Sequence, residues 1–155
     1  NNEPVKRATK VLKHFDQSMN VIVLKNTART AKDAAKTLKC NEGAIVKSLL
    51  FKTQDYFVLT LIAGDKRCSL NKLKKIINNK DVSMANPEEV KTQTGYTIGG
   101  VSPIGHLNSI KIFIDSSLER FNDLYAAAGH PNCVFKIDFI NLQKITKGEI
   151  KELIE

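Results

Sequence analysis

The chain opens on a helical rhythm. Val5, Ala8, Val11, Leu12 and Phe15 recur three or four residues apart while Lys6, Arg7, Lys10 and Lys13 fill the other side, which predicts an amphipathic helix over residues 5–17. The β-branched run at 21–24, bounded by Asn20 and Asn26, predicts a short strand buried on both faces. Thr30, followed three residues on by Asp33, has the form of a helix cap, and the stripe Ala31, Ala34, Ala35 and Leu38 lets that helix lie close on a sheet before it stops near 41–43. Segments 44–51 (AIVKSLLF) and 56–63 (YFVLTLIA), joined by polar residues 53–55, predict a hairpin of central strands.

Further on, Ser69 caps a helix carrying Leu70, Leu73, Ile76 and Ile77, with Lys72, Lys74 and Lys75 outside. Residues 82–84 read as a short strand. Asn86-Pro87-Glu88-Glu89 starts a helix that Gly95 ends, because asparagine caps, proline suits the first helical position and glycine takes the left-handed terminator. A strand is predicted at 110–114. Asp115-Ser116-Ser117 then predicts a helix through Leu118, Phe121, Leu124 and Tyr125, ending at 126–129. A turn at 129–132 feeds a strand at 134–137, and the tail carries Ile140, Leu142, Ile145 and Ile150. No repeat or linker interrupts this order. The expectation is one α/β domain over 1–155, with a mixed, curved, barrel-like sheet and helices packed outside.

Composition narrows the function. A chain of 155 residues with 42% hydrophobic residues supports a real core, and a net charge of +8 favours a polyanionic partner, nucleic acid first. Cys40, Cys68 and Cys133 are odd in number and far apart, so neither a disulfide framework nor a zinc ribbon is indicated, and a reducing compartment is expected. No apolar run reaches the ~18 residues of a membrane span, and the polar start is unlike a signal peptide, so the expectation is a cytoplasmic protein without membrane contact.

Two features stand apart. Residues 95–106 (GYTIGGVSPIGH) hold four of the chain's 8 glycines, alternating with apolar Tyr96, Ile98, Val101 and Ile104, which marks a shaped loop pinned to a core. It is either a tight turn between packed elements or a site. Lys47 shares a strand face with Ile45, Leu49 and Phe51, so it snorkels to the strand end, finds a carboxylate, or points into a cavity that admits an anion. His14 reads as a surface residue. His106, His130 and Cys133 make only one H-x-x-C pair, so no metal and no cofactor is expected. What remains is two glycine turns, whose amides can hold an oxyanion or carbonyl, and one strand lysine.

Three stretches, VKSLLF (46–51), GYTIGGVSPIGH (95–106) and AAGHPNCVF (127–135), resemble in order and spacing the three signatures of the YbaK family. These are free-standing trans-editing proteins similar to the editing domain inserted in bacterial prolyl-tRNA synthetases. The resemblance spans roughly residues 5–148. It implies hydrolysis of the ester joining a wrong amino acid to its tRNA, with tRNA(Pro) or a similar tRNA carrying a small residue as substrate. It casts Lys47, Gly99 and Gly100 in the catalytic roles, with Lys47 at the phosphate of the 3′-terminal adenosine. Tyr96, Ser102, Pro103, His106, Gly129 and His130 become substrate-binding residues. The partners implied are the acceptor end of an aminoacyl-tRNA and a synthetase, for a protein expected to be a monomer. The GHPN turn is closer to the branch with AAG-x-P than to the cysteine-specific branch, which argues against Cys-tRNA(Pro). Two other classes compete: a tRNA-binding or synthetase-associated module of the same fold without turnover, and a metal hydrolase using His106, His130 and Cys133.

Overall fold

Helix caps written in the sequence set most element boundaries in the computed structural model, which describes residues 2–26, 28 and 30–155. Helix α1 (Glu3–Phe15) carries proline in its first turn, where a missing N–H costs nothing. The Thr30 hydroxyl accepts the Asp33 amide to start α2 (Ala31–Leu38), and Ser69 does the same for α3 (Leu70–Ile76) through Lys72. Asn86 and Glu89 form a full capping box at α4 (Pro87–Thr94), which Gly95 ends at φ +81°. Asp138 caps α5 (Phe139–Thr146).

Among the described residues eight strands form one mixed, open sheet: β1 (Val21–Val23), β2 (Ile45–Lys52), β3 (Phe57–Ala63), β4 (Ser83–Met84), β5 (Lys111–Asp115), β6 (Leu124–His130), β7 (Cys133–Ile137) and β8 (Glu149–Lys151). Their order is β1-β7-β6-β2-β3-β5-β8, with β4 beside β2. The expected hairpin is its spine, β2 pairing antiparallel with β3 from Val46↔Ala63 to Lys52↔Phe57. Parallel pairs join β2 to β6, β3 to β5 and β5 to β8. The sheet does not close into a barrel, since β1 and β8 stand at opposite ends of the order.

Because side chains alternate across a strand, both faces of the spine are apolar and each meets helices. Val46 and Leu50 of β2, Leu59 and Leu61 of β3 and Ala126 and Ala128 of β6 join Ala8 and Leu12 of α1 and Leu142 of α5 in the largest core cluster. On the other face Phe51, Val58, Ile62 and Phe113 pack with Leu73 of α3, and Ile45 and Val134 pack with Ala34 and Ala35 of α2. The Asp115 carboxylate is fully buried, and it accepts the Leu153 amide at 2.7 Å and the Ser117 amide at 3.0 Å.

Two expectations need correction. The helix predicted from Asp115 to Tyr125 is a single 3-10 turn, Ser116–Arg120, and residues 124–130 are strand β6. Leu118, Phe121 and Leu124 happen to fall at helical spacing, whereas the alternation Leu124, Ala126, Ala128, all 1% exposed or less, is what the core reads. Alanine's helix preference, under about 1 kcal/mol per residue, yields to central pairing with β2 and β7. The strand at 21–24 is not buried on both faces. It lies at the sheet edge, paired only with β7, and Val23 is 70% exposed.

The alanines of β6 let α1 lie against the sheet. Ala128→Leu should therefore overpack this contact and lower unfolding free energy by about 1–3 kcal/mol, read as a lower urea midpoint with unchanged slope.

Candidate functional site

Strand β2 is paired along its whole length on one edge only. Its other edge meets β6 at Ile45 and Val46 and β4 at Phe51 and Lys52. The stretch between, residues 47–50, carries no ladder on that side; only the Ala85 amide reaches it, donating to the Leu50 carbonyl at 3.0 Å. A cavity of about 500 Å³ opens onto this split. Its walls come from α2 and the segment before it (Ala28, Thr30, Ala31, Lys32, Ala34), from β2, from the glycine loop (Ile98, Gly99, Val101) and from the β6–β7 hairpin (Tyr125, Ala127, Pro131). Most are apolar.

Lys47 lies on the cavity wall, half-buried, with its ammonium donating to the Lys66 carbonyl at 2.5 Å. Burial pulls its pKa below the ordinary lysine value, opposed by the carboxylates of Glu42 and Asp65. A cation so placed is held by one neutral carbonyl rather than by a direct ion pair, with the Glu42 carboxylate also on the cavity wall, so an anion entering the cavity exchanges with a neutral contact in the presence of that charge.

The two glycine turns meet through their backbones. The Gly129 amide donates to the Gly100 carbonyl at 3.1 Å, and a Cβ on Gly100 would sit 2.8 Å from the His130 nitrogen. The Gly100 amide is used within its own turn, donating to the Thr97 carbonyl at 3.0 Å. Gly99, at φ +98°, faces the cavity, and a Cβ there would meet only Pro131, at 3.5 Å. Gly129, also at φ +98°, sits in a β-bulge where a Cβ would strike the backbone of Pro4 at 2.8 Å. Helix α1 therefore backs the second turn directly.

It clamps the first turn as well. Arg7 donates to the Gly105 carbonyl at 2.7 Å and to the Thr94 carbonyl at 3.4 Å, pairs with Glu3, and lies 4.7 Å above the Tyr96 ring. Tyr96 is fully buried and donates to the Ile104 carbonyl at 2.7 Å; burial pushes its phenol up to about 12. His106 donates Nε2–H to the Ser102 carbonyl at 2.7 Å and stands edge-on to Tyr96. Its pKa is pulled below the usual histidine value, by burial first and by the Arg7 charge besides.

Of the nine residues expected at the site, then, Lys47 and Gly99 line the cavity. Gly100, Gly129 and His130 form the junction behind it, with His130 Nδ1 accepting the Asn132 amide. Tyr96, Ser102, Pro103 and His106 lie in the interior of the loop, off the cavity wall. His106, His130 and Cys133 do not converge: among the described residues no three His, Cys, Asp or Glu side chains are placed to hold a metal. Sequence reasoning overlooked Ser48, Pro131 and the start of α2. Ser48 carried a readable signal, a polar residue between Val46 and Leu50 on a buried face.

Comparison with known proteins follows this geometry. A family model described as the aminoacyl-tRNA editing domain matches residues 25–145, a span that includes every cavity wall and leaves α1 outside. The protein YwhH of Bacillus subtilis is 32% identical over 128 residues, covering 80% of this chain and 81% of YwhH. The proline–tRNA ligase of Thermotoga neapolitana is 32% identical over 131 residues, 78% of this chain but only 22% of the ligase. Among solved structures, one described as a candidate trans-editing enzyme for prolyl tRNA synthetase matches with TM-score 0.93 at 31% identity, over 98% of this chain and 97% of that one. The hypothetical protein APE2540 matches with TM-score 0.89 at 25% identity, over 96% and 99%. No helix among the described residues is long and apolar enough to cross a membrane.

Two measurements check the junction. Gly100→Ala should melt well below Gly99→Ala, because the first adds a Cβ against His130 backbone while the second incurs only a φ penalty of about 1 kcal/mol. For His106 the folded state favours the neutral ring, so its stabilisation is complete above the ordinary value of 6.5 and is lost as pH falls through the lower folded value. His106→Gln should flatten the fall in thermal midpoint below pH 6.5 that the parent shows.

Proposed function

This chain belongs to the aminoacyl-tRNA editing domain family, and on that premise we propose that it is a trans-acting deacylase, cleaving the ester between a wrong amino acid and its tRNA. The observation that carries the reading is the cavity at the split edge of β2, where one half-buried lysine and one glycine-loop backbone stand on mostly apolar walls. A pocket of this size accepts a small amino acid together with the terminal ribose, and it is too apolar to be merely a phosphate-binding surface.

In this reading Lys47 exchanges its contact with the Lys66 carbonyl for the phosphate of the terminal adenosine, fixing the depth of the 3′ end. The Gly99 backbone lies against the ester carbonyl. Its φ of +98° is a conformation that other residues adopt only at a cost, and without a side chain the ester can approach the loop closely. Gly100, Gly129 and His130 hold that loop against the β6–β7 hairpin, while Tyr96, Ser102, Pro103 and His106 keep its interior rigid. Water attacks the carbonyl carbon, either directly or after the acyl group has passed to the neighbouring ribose hydroxyl, and gives up its proton. The bond to the ribose oxygen breaks, that oxygen takes up the proton, and free amino acid leaves the tRNA.

The need for such a step is physical: a synthetase pocket separates near-isosteres by only about 1–3 kcal/mol, so errors must be removed at a second site. The ligase relatives support tRNA(Pro) and a prolyl-tRNA synthetase as the tRNA and partner. The net charge of +8 suits an acceptor stem. A panel of tRNAs charged with wrong amino acids tests the assignment. Lys47→Ala should melt like the parent and lose about ten- to a hundredfold in single-turnover deacylation, the worth of one charged hydrogen bond. Deacylation at the parent rate would move the site away from β2, and a parent that binds tRNA but hydrolyses nothing would make the chain a binding module.

A further inference from the structure

Ser48 sits at the middle of the split in β2. The Gly64 amide donates to the Ile45 carbonyl at 2.7 Å, so odd-numbered residues of β2 turn their main chain toward β3 and even-numbered ones toward the split. The Ser48 side chain lies on the face of Val46 and Leu50, which are 4% and 3% exposed. Cavity walls on that face are Val46, Leu50, Ala85, Val90, Val101 and Ala126, all apolar. Ser48 is also on the wall, and its hydroxyl is buried without a hydrogen-bond partner, alone in this among the side-chain nitrogen and oxygen atoms of the described residues.

A buried hydroxyl left unpaired is destabilising, and an alanine would fill the same place without that penalty. The hydroxyl has both a donor and two acceptor sites, and it swings between staggered rotamers without moving the strand. From this we infer that the substrate completes Ser48. Building on the deacylase reading, Ser48 is the specificity-determining residue on the apolar Val46–Leu50 face of the cavity. It selects an aminoacyl group whose own side chain carries a hydroxyl, seryl or threonyl, over alanyl. An apolar pocket alone separates such pairs weakly, whereas one that hydrogen-bonds the substrate hydroxyl leaves its own group unpaired with the wrong occupant. Strand alternation then gives two consecutive residues two tasks on opposite faces of the sheet: Lys47, on the face of Ile45 and Leu49, meets the phosphate, and Ser48, on the face of Val46 and Leu50, meets the amino acid.

The test uses tRNA(Pro) charged separately with alanine, serine and threonine, single-turnover deacylation, and thermal melting of the parent, Ser48→Ala and Ser48→Thr. The parent should hydrolyse seryl and threonyl esters roughly tenfold or more faster than the alanyl ester. Ser48→Ala should lose that preference with no fall in thermal midpoint, and Ser48→Thr should keep it. A preference unchanged by Ser48→Ala, an alanyl ester favoured by the parent, or a Ser48→Ala protein that melts early or does not fold would each overturn the inference, the last by showing the hydroxyl to be structural. Hydrolysis of none of the three esters would instead sink the deacylase reading, and Ser48 with it.

Discussion

The contact on which the site depends is a backbone-to-backbone approach between two turns that carry no side chain at the point of contact. Gly100 and Gly129 share a hydrogen bond of 3.1 Å, and the space that a Cβ would occupy on Gly100 is taken by the His130 main chain. Everything that shapes the cavity on that side follows from this closeness, since the loop bearing Gly99 and the hairpin bearing Pro131 are held at the distance the two glycines set. Side-chain interlocking could not replace it, because rotamers hop whereas a main-chain bond between two constrained turns fixes both position and direction. Helix α1 stabilises the arrangement from behind, with Arg7 gripping the neck of one turn and the Pro4 backbone against the other.

Much of this was legible in the residues. Caps at Thr30, Ser69 and Asn86 act through local hydrogen bonds, so three or four letters suffice to read them. The hairpin of β2 and β3 was equally plain, since both strands are buried on two faces and joined by a short polar turn. Strand β6 was misread because its small residues serve a partner distant in sequence. Alanine at 126 and 128 is a poor strand former on its own, and its reason lies in pairing with β2 and β7 beneath α1. The exposure of β1 escaped for a similar cause, since a β-branched run looks the same at an edge as at the centre.

The site was legible in part. Glycine clustering pointed to the loop and the misplaced charge pointed to Lys47, both local signals. The split edge of β2 was invisible, because it is defined by where two other strands stop pairing. So was the division of the long loop into a cavity-facing tip and a buried neck. Tyr96, Ser102 and His106 share the loop with Gly99 yet spend their polar groups on its own main chain, Tyr96 and His106 donating to carbonyls and Ser102 accepting the Ile104 amide.

The split also says something about how the molecule comes together. Strand β3 follows β2 directly in the chain, so the hairpin can close early and locally, whereas the two short ladders that frame the opening join β2 to segments synthesised much later. Pairing of Ile45 with Tyr125 closes the longest of these loops, and its entropy is lost before any cavity exists. The cavity thus depends on the most non-local pairing of β2, and it opens when β6 detaches. A partly folded molecule would keep much of its spine but have no enclosed cavity.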